Sequence, residues 1–358
     1  MRVAILGAGG VGLATAALLC RNGHDPCLWS PSGASTRALA DGAPLIARGA
    51  LSGSFRPRIA TSCAEAVADA GTVIIAVPAY GHRMVMDAAA PYLRAEQTVI
   101  VSSHYSLSAL YLARLLAERG TASSIAAWGT TVVMGRPSAP AEVTVLTIRA
   151  RIDVATVPTA RAGEGHAASR ALFGDRFVER ADLLAIQLSN VNPQAHLANA
   201  LCNLTRMEKG EAWDTYGGIT EAVSRLIEAL DLERLAIARA FGVEVRTMRE
   251  HMALSFDLPT GTSLSEATRT VEARGGSPGP TSLEARWIRE DLPFGIVPLI
   301  ALAEIAGVVA PLHRSGLALF SAVLGRDLAA ENDLLQGLGL GHLTREELQA
   351  LVRGGWRK

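Results

Sequence analysis

Arg2-Val3-Ala4-Ile5-Leu6-Gly7-Ala8-Gly9-Gly10-Val11-Gly12 is the stretch on which the reading of this chain turns. A short apolar run enters G-x-G-x-x-G directly, and an Ala/Leu-rich helical stretch follows over 13–21. Gly7 permits the tight turn out of a strand. Gly9 lets the backbone approach a pyrophosphate, and Gly12 lets helix and strand pack closely. The free N–H groups and positive dipole end of the helix would hold the phosphates. A glycine-rich turn that binds nothing would share the motif. The strand before it and the helix after it favour a dinucleotide, with Gly7, Gly9, Gly10 and Gly12 as the cofactor-binding loop.

Outward from that loop, β runs alternate with helical stretches through the first half. Candidate strands are 3–6, 26–29, 58–60, 73–77, 98–102 and 124–127. A helix is expected over 107–119, with Ser106 as N-cap and Gly120 as its stop. Such alternation predicts a parallel, doubly wound α/β sheet of Rossmann type. Runs at 142–148 and 154–157 extend the sheet or form a hairpin. From Asp182 the pattern becomes helical, most clearly over 219–241, where Val223, Leu226, Ile227, Leu230, Ile237 and Phe241 share a face closed by Gly242. The stretch 257–280, rich in Thr, Ser, Gly and Pro, reads as a long loop able to move over a site. The expected organisation is a dinucleotide-binding domain over 1–180 and an all-α substrate and dimerisation domain over 181–358.

Composition narrows the function classes. A chain of 358 residues is long enough for two cores. Its formal net charge is zero, which gives no electrostatic case for nucleic acid or an anionic membrane surface. The longest apolar stretch, 295–312, contains Glu304, Pro298 and Pro311, so it reads as a buried helix rather than a membrane span. The apolar N-terminus reads as the first strand and not as a signal peptide. The four cysteines, Cys20, Cys27, Cys63 and Cys202, have no metal-ligand spacing; they suit buried thiols in a reducing cytoplasm, and no metal is expected.

The end of the second strand separates NAD from NADP. An acidic residue there would bind the ribose hydroxyls of NAD. Leu28-Trp29-Ser30-Pro31-Ser32-Gly33-Ala34-Ser35-Thr36-Arg37 has none. Ser30, Ser32 and Arg37 are instead what a 2′-phosphate needs. NADP(H) is therefore favoured and NAD(H) stays open, since Arg37 also reads as a solvated helix residue.

Two stretches of the second half carry chemistry. In Asn192-Pro193-Gln194-Ala195-His196-Leu197-Ala198-Asn199, an asparagine cap followed by proline predicts a helix start. His196, Asn199 and Asn203 then share one face of an otherwise apolar helix. Such a stripe either faces a cavity or is satisfied internally. In Arg286-Trp287-Ile288-Arg289-Glu290-Asp291-Leu292-Pro293, proline is expected to end one helix and free Asp291 to turn inward. The plainer roles are Asp291 as a cap and Arg286 paired with Glu290 at i, i+4.

The glycine fingerprint, N-P-x-x-H at 192–196 and R-x-x-x-x-D-x-P at 286–293 together resemble the octopine/nopaline dehydrogenase family. Val77-Pro78-Ala79-Tyr80-Gly81-His82 and the apolar 295–311 region match as well, so the resemblance covers essentially the whole chain. It implies a nucleotide domain followed by a helical domain, with substrate in the cleft between. The implied activity is NAD(P)H-dependent reductive condensation of an amino acid with a 2-oxo acid through an imine. His196 is then the acid/base and Asp291 its orienting carboxylate. Arg286 is a clamp for a substrate carboxylate, Asn199 and Thr131 contribute to the substrate site, and Val77 and Pro78 to the cofactor site. Val101-Ser102-Ser103-His104-Tyr105-Ser106 departs from the Gly/Pro-rich loop expected after the fifth strand. The resemblance implies small-molecule partners and a cytoplasmic enzyme; a homodimer is expected through its long helices.

Two rival readings stand beside this one. A 2-hydroxy-acid or ketopantoate-type reductase shares the two-domain plan but commonly uses a helical-domain lysine. Lys209, the only lysine besides Lys358, lies in an acidic patch that reads as solvated surface, with Trp213 close by. A non-catalytic NADP-binding sensor would need the nucleotide site but no acid/base pair.

Overall fold

The computed structural model describes residues 1–356. The strands in chain order are β1 (Arg2–Leu6), β2 (Asp25–Trp29), β3 (Leu45–Gly49), β4 (Gly53–Phe55), β5 (Arg58–Ile59), β6 (Thr72–Ile75), β7 (Thr98–Val101), β8 (Ser124–Trp128), β9 (Val133–Ala139), β10 (Glu142–Ile148), β11 (Ile152–Val157) and β12 (Phe177–Glu179). The chain forms two compact units, Met1–Gln187 together with the C-terminal stretch from Leu348, and Leu188–Glu347. The division falls seven residues past the expected boundary at 180, and the end of the chain returns to the first unit rather than staying with the second. Arg353 and Trp356 tie it there, by Nε–H to Asp182 Oδ2 (3.0 Å) and by the indole N–H to Leu110 O (3.1 Å).

The first unit is built on an eight-stranded sheet of order β12-β11-β8-β7-β6-β1-β2-β5. All neighbours run parallel except β11 and β8. In register, Ile5 of β1 lies beside Leu28 of β2 and Ile74 of β6, and all three are buried. Near-continuous apolar strands of this kind need cover on both faces, which is why they alternate with helices. The chain leaves β1 for β2 on one side and returns to β6 on the other. The carboxyl ends of β1 and β6 therefore flank the crevice where such sheets bind ligands.

A second sheet joins β10, the run expected at 142–148, to three strands outside the expected pattern, β3, β4 and β9. Its order is β4-β3-β10-β9. Of the two late β runs, the later one extends the main sheet as β11, while the earlier pairs with β9 as an antiparallel hairpin. Short strands carrying Gly49, Gly53, Gly135 and Pro137 give little β signal of their own. The second sheet packs on the helix Gly10–Arg21. A Cβ on Gly10 would lie 2.2 Å from Gly135 O, so the backbones meet directly.

The second unit is helical, and its boundaries correct four expectations. The 219–241 helix is Glu221–Ala240, capped by Thr220. The supposed loop 257–280 contains the helix Leu264–Ala273, whose capping box joins Ser263 and Glu266; its Ser, Thr, Gly and Pro cluster at the two ends. Pro293 does not end a helix. It sits inside a wide π-helical element, Trp287–Ile296, that runs on into the helix Val297–Ala306. A π-helical turn spreads one more residue per turn, which accommodates a proline lacking an N–H. The apolar 295–312 stretch is thus the end of one element, a whole helix and the start of Pro311–Leu324. Among the described residues no helix is long and apolar enough to cross a membrane. Of the cysteines expected to be buried thiols, Cys27 and Cys63 are buried, Cys20 is half-buried and Cys202 is exposed; all four are free.

Candidate active site

The glycine loop is shaped by close backbone approaches. Gly7 has φ of 123°, and a Cβ there would lie 2.5 Å from Ala76 O and 2.6 Å from Val77 Cγ1. This places the turn after β1 against the turn after β6. A Cβ on Gly12 would lie 2.0 Å from Gly7 O, which only the absence of a side chain allows. Gly9, the N-cap of the helix Gly10–Arg21, has open space where its Cβ would be. The loop therefore has the form a pyrophosphate needs, tight at Gly7 and Gly12 and open at Gly9.

The other expected nucleotide contacts lie at the ends of β2 and β6. Ser30 O accepts from Gly33 N–H (3.0 Å), and Ser32 Oγ accepts from Ala34 N–H (3.3 Å), so these serines shape a turn. Arg37 opens the short helix Arg37–Ala40, is exposed, and has no acidic partner among the described residues. His82 Nε2–H donates to Val77 O (3.1 Å) and fixes the Val77-Pro78 turn from beneath.

The loop after β7 is strained. Ser103, Ser106 and Leu107 all take positive φ, at 72°, 50° and 52°. Non-glycine residues in this region are uncommon. The backbone is held by His104 N–H to Trp128 O (2.8 Å) and Leu107 N–H to Gln187 Oε1 (3.2 Å). The helix that follows is Ser108–Glu118, and Leu107 rather than Ser106 occupies its N-cap. His104 is buried, and among the described residues neither of its ring nitrogens is hydrogen-bonded. Burial, with a smaller repulsion from His82, pushes its pKa down to about 3. Thr131 follows β8, and its hydroxyl donates to Val133 O (2.7 Å).

In the helical unit, His196 lies on the helix Asn192–Cys202. Val191 is its N-cap, not Asn192, because Asn190 Oδ1 takes the Asn192 N–H (3.1 Å) and turns the chain one residue early. The π-helical element packs antiparallel to this helix. A Cβ on Gly295 would lie 2.5 Å from Pro193 Cγ, and this contact sets the approach that brings Asp291 to His196. His196 Nδ1–H donates to Asp291 Oδ2 at 2.8 Å, across 95 residues of chain. The Asp291 side chain is only 3% exposed, whereas His196 is 23% exposed. With Nδ1 as donor, the neutral ring presents Nε2 as an acceptor.

Arg286 pairs through Nε with Glu290 Oε2 at i, i+4, and the glutamate is buried while the arginine side chain is 58% exposed. The two asparagines of the His196 face are satisfied internally. Asn199 Nδ2–H donates to Thr215 O (2.9 Å), and its Oδ1 accepts from Asn203 Nδ2–H (2.9 Å). Together with Asn203 Nδ2–H to Gly218 O (3.2 Å), these bonds hold the 213–218 loop.

Two aromatic residues join the site that the spacing argument passed over. Trp287 stacks on the His196 ring at 4.3 Å between centroids and 9° between planes. Trp213 meets Trp287 edge-on at 6.0 Å and 88°. Trp213 is buried and stands apart from the solvated patch expected around Lys209, which is itself exposed. The available signal was the spacing of Trp287, four residues before Asp291. Among the described residues no group of three or more His, Cys, Asp or Glu stands close enough to hold a metal ion.

Residues 179–324 match the family described as NAD/NADP octopine/nopaline dehydrogenase, alpha-helical domain, and residues 3–120 match ketopantoate reductase PanE/ApbA. The chain is 32% identical over 353 residues to an opine dehydrogenase of Arthrobacter sp. (strain 1C), covering 98% of each. Its fold is similar to that of octopine dehydrogenase bound to NADH and L-arginine, with a TM-score of 0.83 at 18% identity, over 100% of this chain and 99% of that one. It is also similar to NADP+-bound yersinopine dehydrogenase, with a TM-score of 0.72 at 18% identity, over 99% of this chain and 98% of that one.

Proposed function

This chain belongs to the octopine/nopaline dehydrogenase family of oxidoreductases, and from that premise we propose that it joins an amino acid, or a related amine, to a 2-oxo acid by NAD(P)H-dependent reduction of their imine. The observation that carries this reading is the bond from His196 Nδ1–H to the buried Asp291 carboxylate. It commits Nε2 to act as the proton acceptor. That nitrogen takes a proton from the incoming ammonium group and frees the nucleophilic amine. The amine adds to the oxo-acid carbonyl, and the carbinolamine loses its hydroxyl as water with a proton returned by His196. Asp291 stabilises the positive charge the ring carries between these steps and keeps its tautomer fixed. A bound nicotinamide supplies the hydride that reduces the imine carbon. Gly7, Gly9, Gly10 and Gly12, with Val77 and Pro78, are the residues that would hold that cofactor.

Arg286 is the candidate clamp for a substrate carboxylate. Glu290 holds its Nε, while the Nη groups make no hydrogen bond among the described residues and suit a bidentate pair. Asn199 serves by positioning, through the 213–218 loop, and Thr131 is a candidate substrate-binding residue. NADP(H) is the favoured cofactor because Arg37 is exposed and unpaired by any acid among the described residues. The relatives include both an NADH-bound and an NADP+-bound structure, so the preference rests on Ser30, Ser32 and Arg37.

The test is NADPH oxidation with a pool of 2-oxo acids, with and without a pool of amino acids. Oxidation that requires the amine supports the proposal. Oxidation by the oxo acid alone supports the second reading, a hydroxy-acid reductase, the class whose family description residues 3–120 match. Under that reading Lys209→Ala abolishes turnover, whereas under ours it leaves it intact.

A further inference from the structure

We propose that Trp287 is a positioning residue for His196, a flat wall that holds the imidazole plane so that Nε2 keeps one direction. The inference rests on His196 as the proton-transfer group. A histidine ring tethered only by one nitrogen still swings about that hydrogen bond. Asp291 supplies the tether at Nδ1. The indole of Trp287, 4.3 Å away and tilted by only 9°, removes the remaining rotation, because any tilt drives the imidazole into it.

The wall is itself braced. Trp287 and Asp291 are four residues apart on one π-helical element, so a single turn delivers both the tether and the wall. Trp213 abuts the indole edge-on. Trp213 in turn donates its indole N–H to Pro280 O (2.8 Å). Gly218 and Gly279 close around it; a Cβ on either would lie 2.3 and 2.4 Å from its ring. Asp214 Oδ2 accepts the Ser277 N–H (2.6 Å) and staples the two loops that carry these glycines. The chain of contacts from Pro280 through Trp213 and Trp287 to His196 lies wholly within the helical unit.

The experiment compares Trp287→Phe with Trp287→Leu. Phenylalanine keeps a flat face and is expected to retain kcat within about threefold. Leucine removes it, and kcat is expected to fall roughly 30-fold with KM within about twofold, since a misdirected proton acceptor affects turnover more than binding. The second readout is the low-field Nδ1–H proton resonance of His196, identified by its loss in His196→Ala. It stays sharp in the Phe variant and broadens in the Leu variant. Trp287→Met, bulky but not flat, carries the same expectation, so a Leu variant that fails to fold does not remove the test. A parent-like resonance and kcat in a folded Leu or Met variant overturns the proposal. Retained turnover in His196→Ala instead overturns the underlying reading, while the resonance still reports on the wall.

Discussion

Gly7, Gly9 and Gly12 belong to one strand–turn–helix, whereas His196 and Asp291 meet across 95 residues. The first region works through backbone: missing side chains allow approaches of 2.0–2.5 Å from a virtual Cβ to neighbouring carbonyls. The second works through side chains, with one carboxylate, one imidazole and two indoles fixed by packing of distant helices. A backbone-built site of this kind tolerates no added atom at Gly7 or Gly12, and most of it is set within one strand–turn–helix. A side-chain-built site depends on the register of elements that no local pattern sets. The contrast predicts that damage to the first region shows as lost binding and stability, and damage to the second as lost turnover.

The largest expected effect is at the second region. His196→Ala lowers kcat by about 10³-fold, within the usual range for removing a general acid/base. NADPH affinity by fluorescence titration stays within about twofold. A matching loss of affinity would erase the distinction between the two regions. The opposite pattern is expected of Gly12→Ala. A methyl 2.0 Å from a backbone carbonyl cannot be relieved by a rotamer change, so the first unit loses roughly 3 kcal/mol and NADPH binding weakens with it. Melting followed by urea titration reads the stability. A variant as stable as the parent would show that the loop has slack.

Acidification acts on the first unit through a buried histidine. The folded state holds His104 at about pKa 3, below its ordinary 6.5. The unfolded chain therefore binds a proton that the folded chain refuses. The stability owed to the neutral ring is complete above about pH 6.5 and is lost as pH falls toward 3, at no more than ~1.4 kcal/mol per pH unit. Between pH 6.5 and 5 the parent should lose about 2 kcal/mol more than His104→Leu. Equal pH slopes would remove His104 from the account. The smallest effect is at Arg37. Replacing it with alanine should lower the preference for NADPH over NADH by about tenfold, read as the ratio of kcat/KM values.

How far the sequence spoke follows the same division. The parallel sheet and the glycine loop were legible because their signals are contiguous: apolar runs, glycines at fixed offsets, a helix behind them. The second sheet was not, because β3 and β4 are short and β9 carries glycine and proline. The pairing of His196 with Asp291 came from resemblance, since spacing alone could place Asp291 as a cap. Pro293 was read as a helix stop because its missing N–H usually is one; the π-helical turn that absorbs it has no local signature. The spacing of Trp287 four residues before Asp291 is visible in the sequence, but it acquires meaning only once that wide turn brings the ring to His196.

In the proposed reaction, hydride reaches an imine carbon and not a ketone. Turnover with nicotinamide deuterated at the transferred position, followed by mass spectrometry of the product, tests it directly. The prediction is one deuterium at the α-carbon derived from the oxo acid, in a product where that carbon is also bonded to the amine nitrogen. A deuterated 2-hydroxy acid, formed whether or not the amine is present, would contradict it.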